Sequence, residues 1–179
     1  MVGQGLMRLP ILVALLVPLL LGPDRPAEAP STRGARPAPV AGAVQPNAFY
    51  DPALFYPGLQ EAGRAEQPPA GRLVGGVVPH HNLAAALLSR FFLQVEGRPP
   101  ATVIVVGPNH ENRGQAVITG YRGWQTDFGV VETDRRLVQA LVRKGLPVVG
   151  EEALSAEHTI VALMPFLKHH AHDARLVPL

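Results

Sequence analysis

LVGGVVPHHNLAAALLSRFFLQVEGRPPATVIVVGPNH, residues 73–110, carries the clearest structural pattern in the chain. Two short apolar runs, Leu73–Val78 and Thr102–Val106, lie on either side of a segment with helical spacing. That segment is Leu83–Val95, and Asn82 is suited to cap it. Each run is continuously hydrophobic, which is typical of strands buried on both faces of a parallel sheet. The pattern therefore predicts a β-α-β unit with a right-handed crossover.

A histidine follows each of these two predicted strands. His80 comes directly after the first run and Pro79, and His110 follows Gly107-Pro108-Asn109. Open α/β sheets place their ligand crevices at the carboxyl ends of parallel strands. Neighbouring strands lie about 4.8 Å apart, so two imidazoles at these positions could share one metal ion. The residues alone leave open the alternative that both are ordinary loop histidines.

Strand and helix patterns continue to alternate beyond residue 110. The predicted strands are Ala116–Gly120, Val130–Thr133, Leu146–Val149 and Ala174–Leu179, and the predicted helices run from Asp134 to about Lys144 and over Thr159–His170. Tyr121–Gly129, which holds the single tryptophan Trp124, is predicted to join two strands. Ser155 is the expected N-cap of the last helix. Pro165 would kink that helix unless its first turn begins later than this placement. These patterns predict an α/β fold with a mostly parallel sheet and helices on both faces.

The first 22 residues have the pattern of a signal peptide or membrane anchor. Arg8 precedes Leu9–Leu21, a stretch of thirteen residues without a charge. A helix that spans a bilayer needs about 20 apolar residues, so the stretch fits the apolar region of a signal peptide better. We therefore expect the protein to be exported, or tethered to a membrane through residues 9–21, and to work outside the cytoplasm.

Residues 23–71 are rich in proline and alanine, and we interpret them as an extended linker. The first 71 residues contain 12 of the 19 prolines. One cluster of apolar residues interrupts this segment: Phe49, Tyr50, Leu54, Phe55 and Tyr56. We expect the cluster to dock on the α/β domain of residues 72–179, with a partner-binding motif as the alternative.

Charge and cysteine content exclude several classes of protein. The formal net charge of +2 arises within the first 36 residues, and residues 37–179 carry 12 basic and 12 acidic side chains. The basic pI therefore does not indicate a nucleic-acid partner. The chain has no cysteine, which excludes disulfides and thiolate metal ligands. A metal ion would have to be held by His, Asp or Glu.

Four segments, taken together, resemble the Memo family, also called AmmeMemoRadiSam system protein B. They are VVPH (77–80), VIVVGPNH (103–110), WQTDFGVVETD (124–134) and EHTIVALMPFL (157–167). The family is similar to the class III extradiol ring-cleaving dioxygenases. Its usual motifs read P-H-A-G, W-x-T-P-L-G and E-H-S followed by a Glu. Here His81-Asn82, Asp127-Phe128 and Val161 depart from them, so the departures lie around the site, while the histidines expected to face the metal are present.

The resemblance implies that His80 and His110 are metal ligands in a site similar to a non-haem iron site. It also implies catalytic or supporting roles for Glu157 and His158, although Glu157 could instead serve only to stabilise the start of a helix. Fe(II) is the expected metal, with another divalent ion as the alternative. The family domain is longer than residues 72–179, so we expect the sequence to be C-terminally incomplete. Two imidazoles alone would bind metal weakly unless Glu157 is a third ligand.

Three further histidines, His169, His170 and His172, lie at the end of the last predicted helix. Imidazoles at such a position can bond the last carbonyl groups and interact well with the helix dipole. We therefore predict a capping role for this cluster, with metal binding as the alternative.

Three functions remain open from the sequence. The first is a Memo-like protein that binds a divalent metal, with non-haem-iron redox chemistry of the dioxygenase type on an unidentified small molecule. The second is a non-catalytic module that binds a peptide or protein in the same crevice and uses the 124–129 loop. The third is true ring cleavage of catechols.

Overall fold

The computed structural model describes residues 44–64 and 73–179. The strands are β1 (Val44–Gln45), β2 (Thr102–Val105), β3 (Ile118–Thr119), β4 (Gly123–Thr126), β5 (Gly129–Val131), β6 (Val148–Val149) and β7 (Arg175–Pro178). The helices are α1 (Pro52–Arg64), α2 (Ala85–Glu96), α3 (Arg135–Arg143), α4 (Glu151–Ala156), α5 (His158–Val161) and α6 (Met164–His170). A 3-10 turn over Asn82–Ala84 precedes α2.

The predicted signal or anchor at residues 1–22 lies outside the described residues, so export and membrane tethering stay predictions. Among the helices of residues 44–64 and 73–179, none is both long and apolar enough to cross a membrane.

Mixed helices and small sheets make the fold consistent with the α/β class. In the part of the chain that the structure describes, the strands form three sheets with the orders β1-β4-β5, β2-β7 and β3-β6. The pairs β1-β4, β2-β7 and β3-β6 are parallel, whereas β4 and β5 are antiparallel. Only Asp127 and Phe128 join β4 to β5, and so short a connection permits only an antiparallel pair. A single, mostly parallel sheet is therefore not confirmed.

The first strand of the predicted β-α-β unit is absent. Leu73–Val78 is neither helix nor strand, and the side chains of Val74 and Val77 are 92% and 101% exposed. Gly75 and Gly76 explain the failure, because glycine has no side chain to pack and loses much backbone entropy in a strand. The helix and the second strand of the unit do form, as α2 and β2, and β2 pairs with β7.

Helix α1 lies inside the segment interpreted as a linker. It packs on α2 and buries Phe55, Gly58 and Ala62, which share one helical face. A Cβ at Gly58 would lie 2.6 Å from Ala85 Cβ, so the glycine allows the two helices to approach closely. The prediction of an extended chain is therefore wrong for residues 52–64, while residues 23–43 and 65–71 lie outside the described residues.

The aromatic cluster docks on the α/β part of the molecule, as predicted. The Phe55 ring contacts Phe166 of α6 with centroids 4.8 Å apart, and it contacts Phe128 at 5.1 Å. Tyr50 packs edge-on against both Phe55 and Phe128. The core around them contains Leu88, Phe92, Trp124, Val131, Leu167 and Leu176.

The single helix predicted over Thr159–His170 is two short helices. Glu157, not Ser155, caps α5, and the Ser155 hydroxyl donates instead to the Glu151 carbonyl at 2.7 Å. Pro165 lies in the first turn of α6, where its missing N–H costs no hydrogen bond. The helix thus starts later, which is the alternative under which Pro165 does not kink it. The cap at Asp134 is confirmed, because its Oδ1 accepts from Leu137 N at 3.1 Å.

We predict that Phe55→Ala lowers the free energy of unfolding by about 3–5 kcal/mol, because Phe55 is 2% exposed and its ring fills the space between α1 and α6. The matched control is Tyr56→Ala, in the same helix and 50% exposed, which we expect to cost about 1 kcal/mol or less. Urea unfolding followed by the fluorescence of buried Trp124 measures both. Equal costs for the two variants would contradict the packing of α1 described above.

Candidate metal centre

Three histidines from separate parts of the chain meet at one place. Each of His80, His110 and His158 offers one ring nitrogen such that the three nitrogens all lie within 4.8 Å of one another. The His110 and His158 rings stack with centroids 4.6 Å apart. The His80 ring lies 5.1 Å from His110 and 5.4 Å from His158. This set comprises both predicted metal ligands and one of the two predicted catalytic residues.

The local fold explains how these histidines come together. His80 lies just before the 3-10 turn that begins at Asn82, His110 lies in the loop after β2, and His158 is the first residue of α5. A Cβ at Gly107 would lie 2.6 Å from Thr159 Cγ2, so the absence of a side chain there allows α5 to approach the end of β2. That close approach is what brings His158 against His110.

Glu157, the other predicted catalytic residue, joins the loop after β2 to the start of α5. Its Oε2 accepts from the His110 main-chain N–H at 2.8 Å, and its Oε1 lies 2.8 Å from His110 Nδ1. Oε1 also accepts from Thr159, from the main-chain N–H at 3.1 Å and from the hydroxyl at 2.8 Å. Glu157 is only 6% exposed, so these bonds satisfy a carboxylate that water barely reaches.

The hydrogen bonds to Glu157 determine its charge and the tautomer of His110. Burial by itself would raise the pKa of the Glu157 carboxyl, but the hydrogen bonds from His110 and Thr159 outweigh it and lower that pKa to about 2. An ionised carboxylate can only accept, so Nδ1 of His110 carries the proton. The other ring nitrogen, Nε2, is then left with a lone pair for a metal. Glu157 is therefore placed to orient a ligand.

The electrostatic surroundings of His80 favour its neutral form. Burial lowers the pKa of His80, and the neighbouring imidazoles of His81, His110 and His158 lower it further. Neutral imidazole is the form that binds metal ions. His80 is thus favoured in the form that can donate a lone pair to a metal ion.

Two residues beside the three histidines were not identified from the sequence as part of the site. The His81 ring stacks on His80 with centroids 4.9 Å apart, and the Phe49 ring lies 5.6 Å from that of His158. The adjacent pair His80-His81 in the sequence could have indicated that His81 also lies at the site. No signal pointed to Phe49, because it is distant in sequence and was assigned to the docking cluster.

The second histidine cluster does not have the predicted capping role. Within the described residues, none of the side chains of His169, His170 and His172 bonds a helix carbonyl; Lys168 Nζ instead donates to the His172 carbonyl at 2.6 Å. The His170 imidazole is buried without a hydrogen-bond partner, since Glu96 Oε1 lies 3.9 Å from its Nδ1. None of these three histidines belongs to the His80, His110 and His158 set.

The fold and site define an α/β protein with an imidazole-lined candidate metal centre supported by a buried carboxylate. The family model described as Memo-like protein matches residues 50–179, which is more than half of the chain. The chain therefore belongs to the Memo-like family, in agreement with the resemblance noted from its motifs. The matched region begins before residue 72 and includes α1.

Relatives support the same family. The chain is 32% identical over 158 residues to a MEMO1 family protein of Methanothermobacter thermautotrophicus, a match covering 80% of this chain and 55% of the relative. It is 35% identical over 116 residues to one of Pyrobaculum arsenaticum, covering 60% of this chain and 40% of the relative. The chain thus spans about half the length of these relatives. No solved structure matches it significantly.

We predict that His170 makes the fold sensitive to acid. Burial lowers the pKa of His170 from 6.5 to about 4, with a smaller contribution from His169. The unfolded chain therefore takes up the proton more readily, and stability present above pH 6.5 is lost as the pH falls towards 4. Between pH 7 and pH 5 we expect protonation of His170 to lower the free energy of unfolding of the wild-type protein by on the order of 1 kcal/mol. His170→Leu should not show this loss.

Urea unfolding at pH 7 and pH 5 measures this effect as a difference between variants. The control is His172→Leu, at an exposed position two residues away. If the wild-type protein and His170→Leu lose equal stability between the two pH values, the burial of a neutral His170 is contradicted.

Proposed function

We propose that this Memo-like protein binds a divalent metal ion through His80, His110 and His158. The observation that carries the proposal is the convergence of three ring nitrogens within 4.8 Å from three separate segments. Fe(II) is the metal we propose, because the family resembles non-haem iron enzymes; imidazole ligands also suit zinc, copper and nickel.

The donor set fits a metal ion in number, chemistry and support. Metal-to-nitrogen bonds of about 2.1 Å place tetrahedral ligands about 3.4 Å apart, a spacing that small side-chain rotations from the observed arrangement would reach. The hydrogen bond from His110 to Glu157 is the kind that commonly fixes a ligating imidazole. The third donor, His158, also removes the weakness expected of a site with two protein ligands.

The proposed activity is non-haem-iron redox chemistry of the dioxygenase type on a small molecule. An iron ion held by three imidazoles would keep open positions for a substrate and for O₂. Glu157 would hold the proton on His110 Nδ1 and so keep that ring aligned. His158, assigned from the motif to a catalytic role, is proposed here as a ligand. Ring cleavage of catechols is one case of this chemistry.

A non-catalytic protein-binding module is the second candidate, and one observation favours it. Apolar side chains that are more than half exposed occur on the segment before the 3-10 turn, in that turn, on α2 and on β2: Val74, Val77, Leu83, Leu87 and Ile104. Exposed apolar residues in such number can mark a contact surface. The 124–129 loop assigned to this role from sequence belongs instead to the β4-β5 hairpin, whose Trp124 is buried.

We predict that His80→Ala, His110→Ala and His158→Ala each weaken metal binding by at least about tenfold, because each removes one of three protein ligands. Anaerobic titration of the apoprotein with Fe(II), and titration with Zn(II) by calorimetry, measure the affinity. His172→Ala is the control, since it removes an exposed imidazole outside the site.

Stoichiometric binding that is lost in all three variants and kept in the control would support the metal centre. Affinity that none of the three substitutions changes would contradict it. Binding of a peptide or protein that survives the three histidine substitutions but is lost in Val77→Asp would favour the second candidate.

We predict that Glu157→Gln weakens metal binding about 10- to 100-fold without abolishing it, because Glu157 acts through the orientation of His110. Glutamine keeps the size of the side chain but loses the charge that holds the proton on Nδ1. The matched control is Glu111→Gln, at an exposed carboxylate one residue after His110. An affinity equal to that of the wild-type protein would show that His110 needs no carboxylate.

A further inference from the structure

Phe49 contacts the candidate metal centre from outside the three histidine segments. Its ring lies 5.6 Å from that of His158 and is tilted by 42°. The His110 ring also packs on His158, at 4.6 Å and nearly parallel. The His158 side chain is 31% exposed, so Phe49 and His110 supply two of the contacts that limit its rotation.

The main chain on both sides of Phe49 is held in place. The preceding strand, β1, pairs with β4, and the following residue, Tyr50, packs its ring on Phe55 and Phe128. The Asn82 side-chain amide donates a hydrogen bond to the Phe49 carbonyl. Asn82 lies two residues after His80, so the segment around Phe49 links the His80 segment to His158.

A third ligand contributes most to metal affinity when its ring is already oriented as the metal arrives, because less side-chain freedom is then lost on binding. His158 is the first residue of a helix of four residues, a short element that does little to restrict its first side chain. Its nearest carboxylate contact is long, with Glu157 Oε1 3.3 Å from Nδ1 and already bonded to His110 and Thr159. Orientation of this ring must therefore come largely from packing.

We propose that Phe49 is a positioning residue that holds the His158 imidazole in its ligating orientation by packing against its ring. The inference rests on the proposed metal centre. It adds to that centre a residue that does not itself offer a metal ligand and that acts through its contact with the His158 ring.

The test is a double-mutant cycle on the full chain with Co(II), followed by visible absorption. The four proteins are the wild type, Phe49→Ala, His158→Ala and the double variant. We expect Phe49→Ala to lower the Co(II) affinity about tenfold in the wild type, and by less than about twofold once His158 is absent. The Co(II) spectrum of Phe49→Ala should also shift towards that of His158→Ala.

Two further variants separate positioning from general damage to the fold. Phe49→Tyr keeps the ring and should restore the affinity. Tyr56→Ala removes an aromatic ring of similar exposure that contacts Phe55 and no histidine, and should leave the affinity unchanged. Phe49→Leu gives an intermediate effect if ring contact is what matters, and it serves as the truncation if Phe49→Ala folds poorly.

An equal loss of affinity with and without His158, or no loss in either background, would overturn the positioning role. The metal centre itself is tested by the Co(II) affinities of the wild type and of His158→Ala. If wild-type protein binds no Co(II), or if His158→Ala binds as tightly as the wild type, the proposed function fails and the inference fails with it.

Discussion

The buried carboxylate of Glu157 is the interaction on which the site depends. Its two oxygens bond the main chain and ring of His110 and the main chain and hydroxyl of Thr159. A carboxylate that is 6% exposed needs such partners, because an unsatisfied buried charge costs several kcal/mol. The same bonds close the first turn of α5 and bring it to the loop after β2. One side chain therefore caps a helix, joins two segments and places two histidines.

The candidate site could be predicted in part from the sequence, and the reasons differ for each residue. The position of His110 follows from the strand β2 that precedes it, as expected. His80 lies at the same site although Leu73–Val78 is not a strand. The expectation that a histidine at a strand end lines the site was therefore correct for this residue, but the strand that led to it does not form. His158 was recognised from the E-H motif, but its distance to the other two depends on the packing of α5 against Gly107, which no local pattern encodes.

The parts of the fold that sequence reasoning missed are those in which tertiary packing overrides local composition. The proline-rich surroundings of α1 indicate an extended chain, yet Phe55 and Gly58 give this helix one face that fits α2 and α6. The apolar run at residues 73–78 indicates a strand, yet its two glycines leave it without enough side chain to pack. The helix predicted over Thr159–His170 covers nearly the same residues as α5 and α6 together. The chain forms two helices there, and Pro165 lies in the first turn of the second.

An imidazole-only donor set has an electrostatic consequence for any metal bound there. Three neutral imidazoles add no charge, so a divalent ion at the site would keep its full 2+ charge among the protein ligands. Within the described residues, the carboxylate bonded to one of these imidazoles is Glu157, which would act on the ion through the His110 ring and which also accepts from the Thr159 hydroxyl. A single carboxylate that is separated from the ion by an imidazole ring would neutralise the charge of the ion only in part. If the proposed metal is bound there, its open positions would favour an anionic ligand, because the protein side chains would neutralise the charge of the ion only in part.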